Sequence, residues 1–230
     1  MKPHAKITIA ENQDPLIPIP ASIHCLLPHP YLSLGAPYGK KSPFYLRSLI
    51  IEKLIEANRI LSELRPGYQI AVFDGYRPVV VQQFMVIHAF QDLIKARELD
   101  PLQISNSEKE DLMQEVYQFW AIPSYDLASP PPHSTGAAVD LTLIDQNGKE
   151  LNMGSAIDLI SPLSHPNYFE VPEFKDNLEA QKYNSDRQLL NQVMSTAGFQ
   201  RHPNEWWHFS WGDQMWAWLT DSPIALCGRV

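Results

Sequence analysis

The sequence predicts a mixed α+β fold in a single domain that spans residues 1–230. Three observations lead to this prediction. The 230 residues are 44% hydrophobic, which is enough to bury one sizeable core and fits one domain better than two. Segments with helical periodicity stand beside a few separated strand-like segments, without the regular alternation of a parallel-sheet fold. Twenty prolines divide the chain into many loop segments.

Four segments have apolar residues at helical spacing. They are residues 43–64, 78–93, 107–120 and 186–197. Pro78 can occupy the first turn of the second helix. Ser107 and Glu110 resemble a capping box that opens the third helix, and Gly198 ends the fourth. The segment 43–64 is predicted to be a core helix.

Four shorter segments have the pattern of strands. They are residues 6–10, 68–73, 137–144 and 207–210. In the third, Val139 and Leu141 are expected to face one way while Asp140 faces the other. The rest of residues 1–43 is predicted to be an irregular N-terminal wrap, and 146–182 is also predicted to be irregular. Long irregular connections inside a compact domain tend to be functional.

Composition excludes several classes of partner and location. Lys and Arg total 18 against 26 Asp and Glu, a net charge of −8, so we expect neither nucleic acid nor a membrane as a partner. The N-terminal residues lack the apolar stretch of a signal peptide, and no later stretch approaches the roughly 18 apolar residues of a membrane helix. We therefore expect a cytoplasmic protein. Cys25 and Cys227 lie far apart in sequence and are expected to be unbridged.

Two sequence clusters contain complementary parts of a metal site. Catalytic zinc commonly takes three nitrogen or oxygen ligands and leaves one position for water. His133, Asp140 and His208 satisfy that count. Gly136 permits a tight turn between the first two of these residues, so both can reach one metal. The sequence thus predicts one Zn²⁺ per chain.

Glu205 precedes His208 by three residues, which places a second carboxylate near the predicted zinc without requiring it to be a ligand. Its predicted role is that of a general base that takes a proton from water. Taken singly, each of these residues has a structural explanation: Asp140 could cap a turn, and Glu205 could lie on the surface. Their combination favours a catalytic metal site.

Four motifs occur in order within a motif-bearing core of residues 70–210. They are FDGYRP at 73–78, HSTGAAVDLTL at 133–143, MGSAID at 153–158 and EWWHF at 205–209. Together they resemble the motifs of the D-alanyl-D-alanine dipeptidases of the VanX type. The resemblance implies a zinc metallopeptidase that hydrolyses D-alanyl-D-alanine to two D-alanines. It also supports a small, largely antiparallel sheet flanked by helices.

The resemblance implies roles for individual residues. The zinc ligands correspond to His133, Asp140 and His208, and the catalytic base corresponds to Glu205. Arg77 would stabilise the developing oxyanion, because a guanidinium stays charged and presents fixed donors; the structural alternative is a salt bridge at the strand-to-helix turn. Asp158 would lie near the free ammonium of the substrate. Pro131 departs from the family, which often has serine there, so a substrate contact made by that serine is lost or replaced.

Two other functions fit the same residues. A zinc carboxypeptidase that trims longer cell-wall peptides would share much of the metal motif, although Asp158 favours a substrate with a free amino terminus. A catalytically silent zinc module that recognises peptides is the second alternative, and Glu205 argues against it. The remaining histidines considered carry no predicted role. They are His24, His29, His88, His165 and His202.

Overall fold

A computed structural model describes residues 3–117, 122–159 and 161–230. The strands are β1 Thr8–Ile9, β2 Leu16–Pro18, β3 His24–Cys25, β4 Tyr45–Arg47, β5 Gln69–Asp74, β6 Ala138–Ile144, β7 Gln200–Arg201, β8 His208–Ser210 and β9 Ile224–Ala225. The α-helices are α1 Pro30–Ser33, α2 Ser48–Leu64, α3 Val79–Ala96, α4 Asn106–Tyr117, α5 Leu178–Thr196 and α6 Gln214–Leu219. Short 3₁₀ helices lie at Pro3–Lys6, Pro132–Thr135, Pro162–Ser164, Tyr168–Glu170 and Pro172–Phe174.

The central sheet has the strand order β3-β5-β6-β8-β7. β3 pairs with β5 in parallel, whereas β5 with β6, β6 with β8, and β8 with β7 pair antiparallel. Two smaller pairs, β1 with β9 and β2 with β4, lie outside this sheet. This mixture of helices with a small, largely antiparallel sheet confirms the predicted fold class.

The main core lies between helices α2 and α5 and one face of the sheet. Fully buried side chains in it include Ile50, Leu54, Leu61, Val139, Leu141, Leu143, Leu190 and Val193. Burying each such side chain contributes about 1.5–3 kcal/mol. Because side chains alternate along a strand, Asp140 of β6 points away from this core. The opposite face of the sheet is therefore the one that carries polar groups.

Two helices begin at other residues than the sequence predicts. α2 begins at Ser48 and not near residue 43, because Tyr45–Arg47 pairs with β2 as a strand. α5 begins at Leu178, well before residue 186, because the Asn177 side chain accepts hydrogen bonds from two backbone N–H groups of the first turn.

Capping also differs from the prediction. The box at the start of α4 consists of Ser105 and Glu108, whose side chains bond each other and each other's backbone, and not of Ser107 and Glu110. Pro78 is the N-cap residue of α3 and not part of its first turn. The predicted extension of the third helix to residue 120 lies outside the described residues.

The N-terminal segment is more ordered than an irregular wrap. The predicted strand at 6–10 is reduced to Thr8–Ile9, but β2, β3 and α1 also come from residues 1–43. Cys25 and Cys227 are both free thiols, as predicted. Across the three described ranges, no helix combines the length and apolar character needed to cross a membrane.

Candidate metal centre and active-site cleft

Three neighbouring strands place three polar residues side by side on the sheet. Asp140 of β6 is the register partner of His208 on β8 and of Asp74 on β5. Directly opposed residues in an antiparallel pair have Cβ atoms about 4.5–5.5 Å apart, so their side chains can meet. All three are buried. The sheet register thus brings together residues 74, 140 and 208.

His133 reaches the same place from the 3₁₀ helix that precedes β6. Gly136 ends this helix in the left-handed region, at φ +69°. A Cβ there would lie 2.5 Å from Leu16 Cδ1, so the position requires glycine both for its backbone angle and for space. His133 Nδ1 donates to the Gly75 carbonyl at 2.7 Å, which directs its Nε2 lone pair towards Asp140 and His208.

The donor atoms of His133, Asp140 and His208 converge. His133 Nε2 lies 3.2 Å from Asp140 Oδ2 and 3.2 Å from His208 Nδ1. His208 Nδ1 lies 2.9 Å from Asp140 Oδ1. The edge of a tetrahedron with zinc–nitrogen bonds of about 2.0–2.1 Å measures about 3.4 Å. Two imidazole nitrogens and a carboxylate at this spacing fit a zinc ion, and one ligand atom from each of the three residues lies within 4.8 Å of the other two.

Asp140 and the two histidines next to it influence one another's pKa values. Burial acts to raise the pKa of Asp140, but the adjacent His133 and His208 hold this pKa below its usual range. Burial acts to lower the pKa of His208, whereas the hydrogen bond and charge of Asp140 raise it to about 9. Asp140 is therefore ionised and available to a cation.

Glu205 lies on the connection between β7 and β8. The backbone N–H of His202 donates to the His208 carbonyl at 2.9 Å and closes this connection. Glu205 Oε2 lies 3.9 Å from His208 Nδ1, the atom that faces Asp140. Because 37% of its side chain is exposed, the carboxylate borders the open cleft beside the buried donor atoms.

Arg77 lies where β5 turns into α3. Its Nε and Nη2 donate to Asp74 Oδ2 at 2.8 and 2.6 Å, and its Nη1 donates to Gln82 Oε1 at 3.2 Å. Nη2 also lies 3.5 Å from Asp140 Oδ2. Burial acts to lower the pKa of Arg77, but the surrounding acidic groups raise it well above its usual value. The guanidinium therefore stays charged, and it makes the salt bridge at the turn while also lining the cleft.

Asp158 faces the cleft from the loop before the 3₁₀ helix Pro162–Ser164, in a left-handed conformation at φ +60°. It accepts a hydrogen bond from the Tyr31 hydroxyl. Burial and the neighbouring Asp140 carboxylate raise the pKa of Asp158 to about 6. Tyr31 carries no signal in the sequence, since a lone tyrosine in helix α1 of the N-terminal segment belongs to none of the four motifs.

One cleft of about 620 Å³ unites the residues singled out from the sequence. It is lined by Arg77, His133, Asp140, Asp158, Glu205 and His208. Pro131 lies at the same cleft, where its ring presents no hydroxyl. His165 and His202, which carried no predicted role, also border it. Trp206 and Trp207 are both buried.

The fold combines helices with a small sheet, and a buried His–Asp–His donor set lies beside a glutamate in an open cleft. This combination is typical of a zinc metallopeptidase. A family model described as D-ala-D-ala dipeptidase matches residues 25–225. The chain belongs to this D-Ala-D-Ala dipeptidase family of zinc metallopeptidases.

Two dipeptidases agree with this family membership. A D-alanyl-D-alanine dipeptidase of Synechocystis sp. is 44% identical over 240 residues, covering 100% of this chain and 97% of the relative. The D-alanyl-D-alanine dipeptidase of Enterococcus faecalis is 30% identical and covers 64% of each chain. A solved structure of the vancomycin-resistance D,D-pentapeptidase VanY with Zn(II) is a more distant likeness, with a TM-score of 0.46 and 15% identity over 96% of both chains.

Proposed function

We propose that this protein hydrolyses D-alanyl-D-alanine to two D-alanines, with one zinc ion per chain held by His133, Asp140 and His208. The observation that carries the proposal is the convergence of these three donor groups within 4.8 Å, in one cleft with Glu205 and Asp158. The full-length relative at 44% identity, itself a D-alanyl-D-alanine dipeptidase, supports the choice of substrate.

Zinc supplies Lewis-acid chemistry when bound, since it polarises a carbonyl oxygen and lowers the pKa of water from about 15.7 towards about 7. The chain would hold the ion through one imidazole nitrogen each of His133 and His208 and through the carboxylate of Asp140. The Gly75 carbonyl fixes the tautomer of His133 by accepting its Nδ1–H at 2.7 Å.

Glu205 is the proposed general base. Its carboxylate lies 3.9 Å from His208 Nδ1 and lines the same cleft as the three proposed ligands, so it would be placed to accept a proton from a water in that cleft. It would take the proton of the attacking water and pass it to the leaving amine. Positioned acid–base groups of this kind contribute roughly 10²- to 10⁴-fold to the rate.

Arg77 is the proposed stabiliser of the oxyanion that develops on the scissile carbonyl. Its guanidinium is charged, is anchored by Asp74, and faces the cleft within 3.5 Å of Asp140. An anchored donor needs little reorganisation during the reaction, which is why such groups stabilise a transition state more than a ground state.

Asp158 is the proposed anchor for the substrate ammonium. A carboxylate at this position attracts a free amino terminus, and the Tyr31 hydroxyl holds its orientation. A longer peptide, whose nitrogen at this position is part of an amide bond, brings no positive charge there. Pro131 supplies no side-chain hydrogen bond to the substrate, so this arrangement relies on Asp158 more than one with a serine would.

The comparison of free with N-acetylated D-alanyl-D-alanine tests this proposal against a carboxypeptidase. We expect kcat/KM for the free dipeptide to exceed that for the acetylated one by about 100-fold or more, and Asp158→Asn to reduce the difference. Equal rates on both substrates would favour the carboxypeptidase. Stoichiometric zinc with no cleavage of either would favour a recognition module.

A further inference from the structure

His29 is a buried histidine for which the proposed reaction has no use. It is 1% exposed, and neither ring nitrogen has a hydrogen-bond partner within the part of the chain that the structure describes. Four aromatic rings surround it, with centroid distances of 5.0 Å for Tyr31, 6.2 Å for Tyr38, 5.6 Å for Phe44 and 5.5 Å for Phe73. A polar ring enclosed this way costs free energy unless it bonds to something.

The nearest polar group is the carboxylate of Asp74. His29 Nε2 lies 3.6 Å from Asp74 Oδ1, slightly beyond hydrogen-bond distance, and this oxygen is also buried without a partner in the described residues. The other oxygen, Oδ2, receives both contacts from Arg77. A shift of about 0.6 Å would bring His29 Nε2 and Asp74 Oδ1 to ordinary hydrogen-bond distance. Hydrogen bonds would then connect His29 through Asp74 to Arg77, from the core to the cleft.

We propose that His29 is a positioning residue for Arg77. After that shift of about 0.6 Å, its Nε2–H donates to Asp74 Oδ1 and fixes the carboxylate in the orientation that presents Oδ2 to the guanidinium. The inference rests on the proposed function insofar as it assigns a catalytic consequence to the position of Arg77. One hydrogen bond between these two buried groups removes the desolvation penalty that each carries alone, and this penalty is larger for a charged oxygen.

The backbone of His29 is held firmly enough for this role. Pro30 occupies the first position of α1, and the Ser33 backbone N–H and hydroxyl both donate to the His29 carbonyl, at 3.1 and 3.0 Å. The N-terminal segment thus holds the backbone of His29 in a position that places its imidazole next to Asp74.

The orientation of Asp74 matters because Arg77 has a competing carboxylate. Arg77 Nη2 lies 3.5 Å from Asp140 Oδ2, and Asp140 is a proposed zinc ligand. If the Asp74 carboxylate rotated away, the guanidinium would turn towards Asp140 and leave the position from which it can meet an oxyanion. His29 prevents this through Asp74.

Two substitutions separate the hydrogen bond from the packing. His29→Gln keeps an N–H donor near the position of Nε2, whereas His29→Leu fills the aromatic cage without a donor. We expect His29→Leu to lower kcat for D-alanyl-D-alanine about tenfold with zinc content unchanged, and His29→Gln to stay within about threefold of wild type. Val81→Ala, which loosens the adjacent cluster around Tyr31 without changing any polar group, should leave kcat within about twofold.

Combining His29→Leu with Arg77→Lys tests whether His29 acts through Arg77. In this background we expect His29→Leu to cost less than about twofold in kcat, because the group it positions is already gone. A tenfold loss in both backgrounds, or no loss in either, would overturn the proposal.

The Nε–H signal of Arg77 in a ¹H–¹⁵N spectrum gives a readout that needs no substrate. The signal is assigned by its absence in Arg77→Lys. We expect a slowly exchanging signal in wild type and His29→Gln, and fast exchange in His29→Leu. Unchanged protection in His29→Leu would contradict the positioning role. An inactive wild type with a His29-dependent signal would instead contradict the proposed function alone.

Discussion

The indole Nε1 of Trp206 donates to Ser155 Oγ at 2.8 Å and joins the segment that carries Glu205 to the loop that carries Asp158. The backbone N–H of Trp206 adds a second link, to the Ser164 carbonyl at 3.1 Å. Glu205, the proposed base, and Asp158, the proposed substrate anchor, therefore lie on two segments that are hydrogen-bonded to each other.

Arg187 of α5 is buried and contacts both of these segments. Its guanidinium donates to the carbonyls of Met153, Leu163 and His165 at 2.7–2.9 Å, and it stacks against the Trp206 ring at 5.4 Å. We expect Arg187→Met to lower the free energy of unfolding by about 3 kcal/mol or more, because these buried carbonyls lose a charged donor. Since the loop also holds Asp158, KM for the dipeptide should rise about tenfold, with a smaller change in kcat. Thermal unfolding and steady-state kinetics measure both effects, and an unchanged KM in the destabilised variant would contradict the link to the loop.

Gly136→Ala should weaken the zinc site. The added Cβ meets Leu16 Cδ1 at 2.5 Å and strains a backbone at φ +69°, so the turn that carries His133 must shift. Gly148→Ala is the matched control, because its φ of +75° imposes a similar strain with nothing within 4 Å. We expect both variants to lose about 1 kcal/mol or more of stability and only Gly136→Ala to bind zinc at least tenfold more weakly in a chelator competition. Equal zinc affinity in the two variants would contradict this account.

The pH dependence of kcat/KM should contain an acid limb from Asp158. The pKa of this carboxyl is raised to about 6, so it is charged above pH 6 and neutral below. Only the charged form attracts the substrate ammonium, and kcat/KM is therefore expected to fall as the pH drops through about 6. Asp158→Asn should have low kcat/KM at pH 8 and lack this limb. A limb that keeps its midpoint in Asp158→Asn belongs to another group.

Arg77→Lys should lower kcat by about 100-fold or more at unchanged zinc content. Lysine keeps the charge but cannot donate to Asp74 and an oxyanion with a planar fork at the same time. Arg59→Lys, on the exposed face of α2, controls for the substitution itself and should have no effect on kcat. Activity of Arg77→Lys near that of wild type would remove Arg77 from the mechanism.

The sequence predicted the residues that line the cleft better than it predicted the residues that hold them in place. Each of the six proposed site residues falls in one of four short motifs, and the structure brings all six to one cleft. Tyr31 and His29 lie near groups more than 30 positions away in the sequence, namely Asp158 and Asp74. Arg187 contacts carbonyls that are 22 to 34 positions away. None of these three residues carries a periodic or spacing signal. Strand β7 has two residues and α6 six, which is too short for hydrophobic periodicity to reveal.

Zinc content measured together with the release of D-alanine from D-alanyl-D-alanine tests the central claim most directly, in wild type, Glu205→Gln and His208→Ala with a chelator control. We predict about one zinc per chain and rapid release for wild type, about one zinc and a loss of roughly 10²- to 10⁴-fold for Glu205→Gln, and loss of both for His208→Ala. The claim would be contradicted if zinc-loaded Glu205→Gln released D-alanine as fast as wild type, or if wild type bound no zinc.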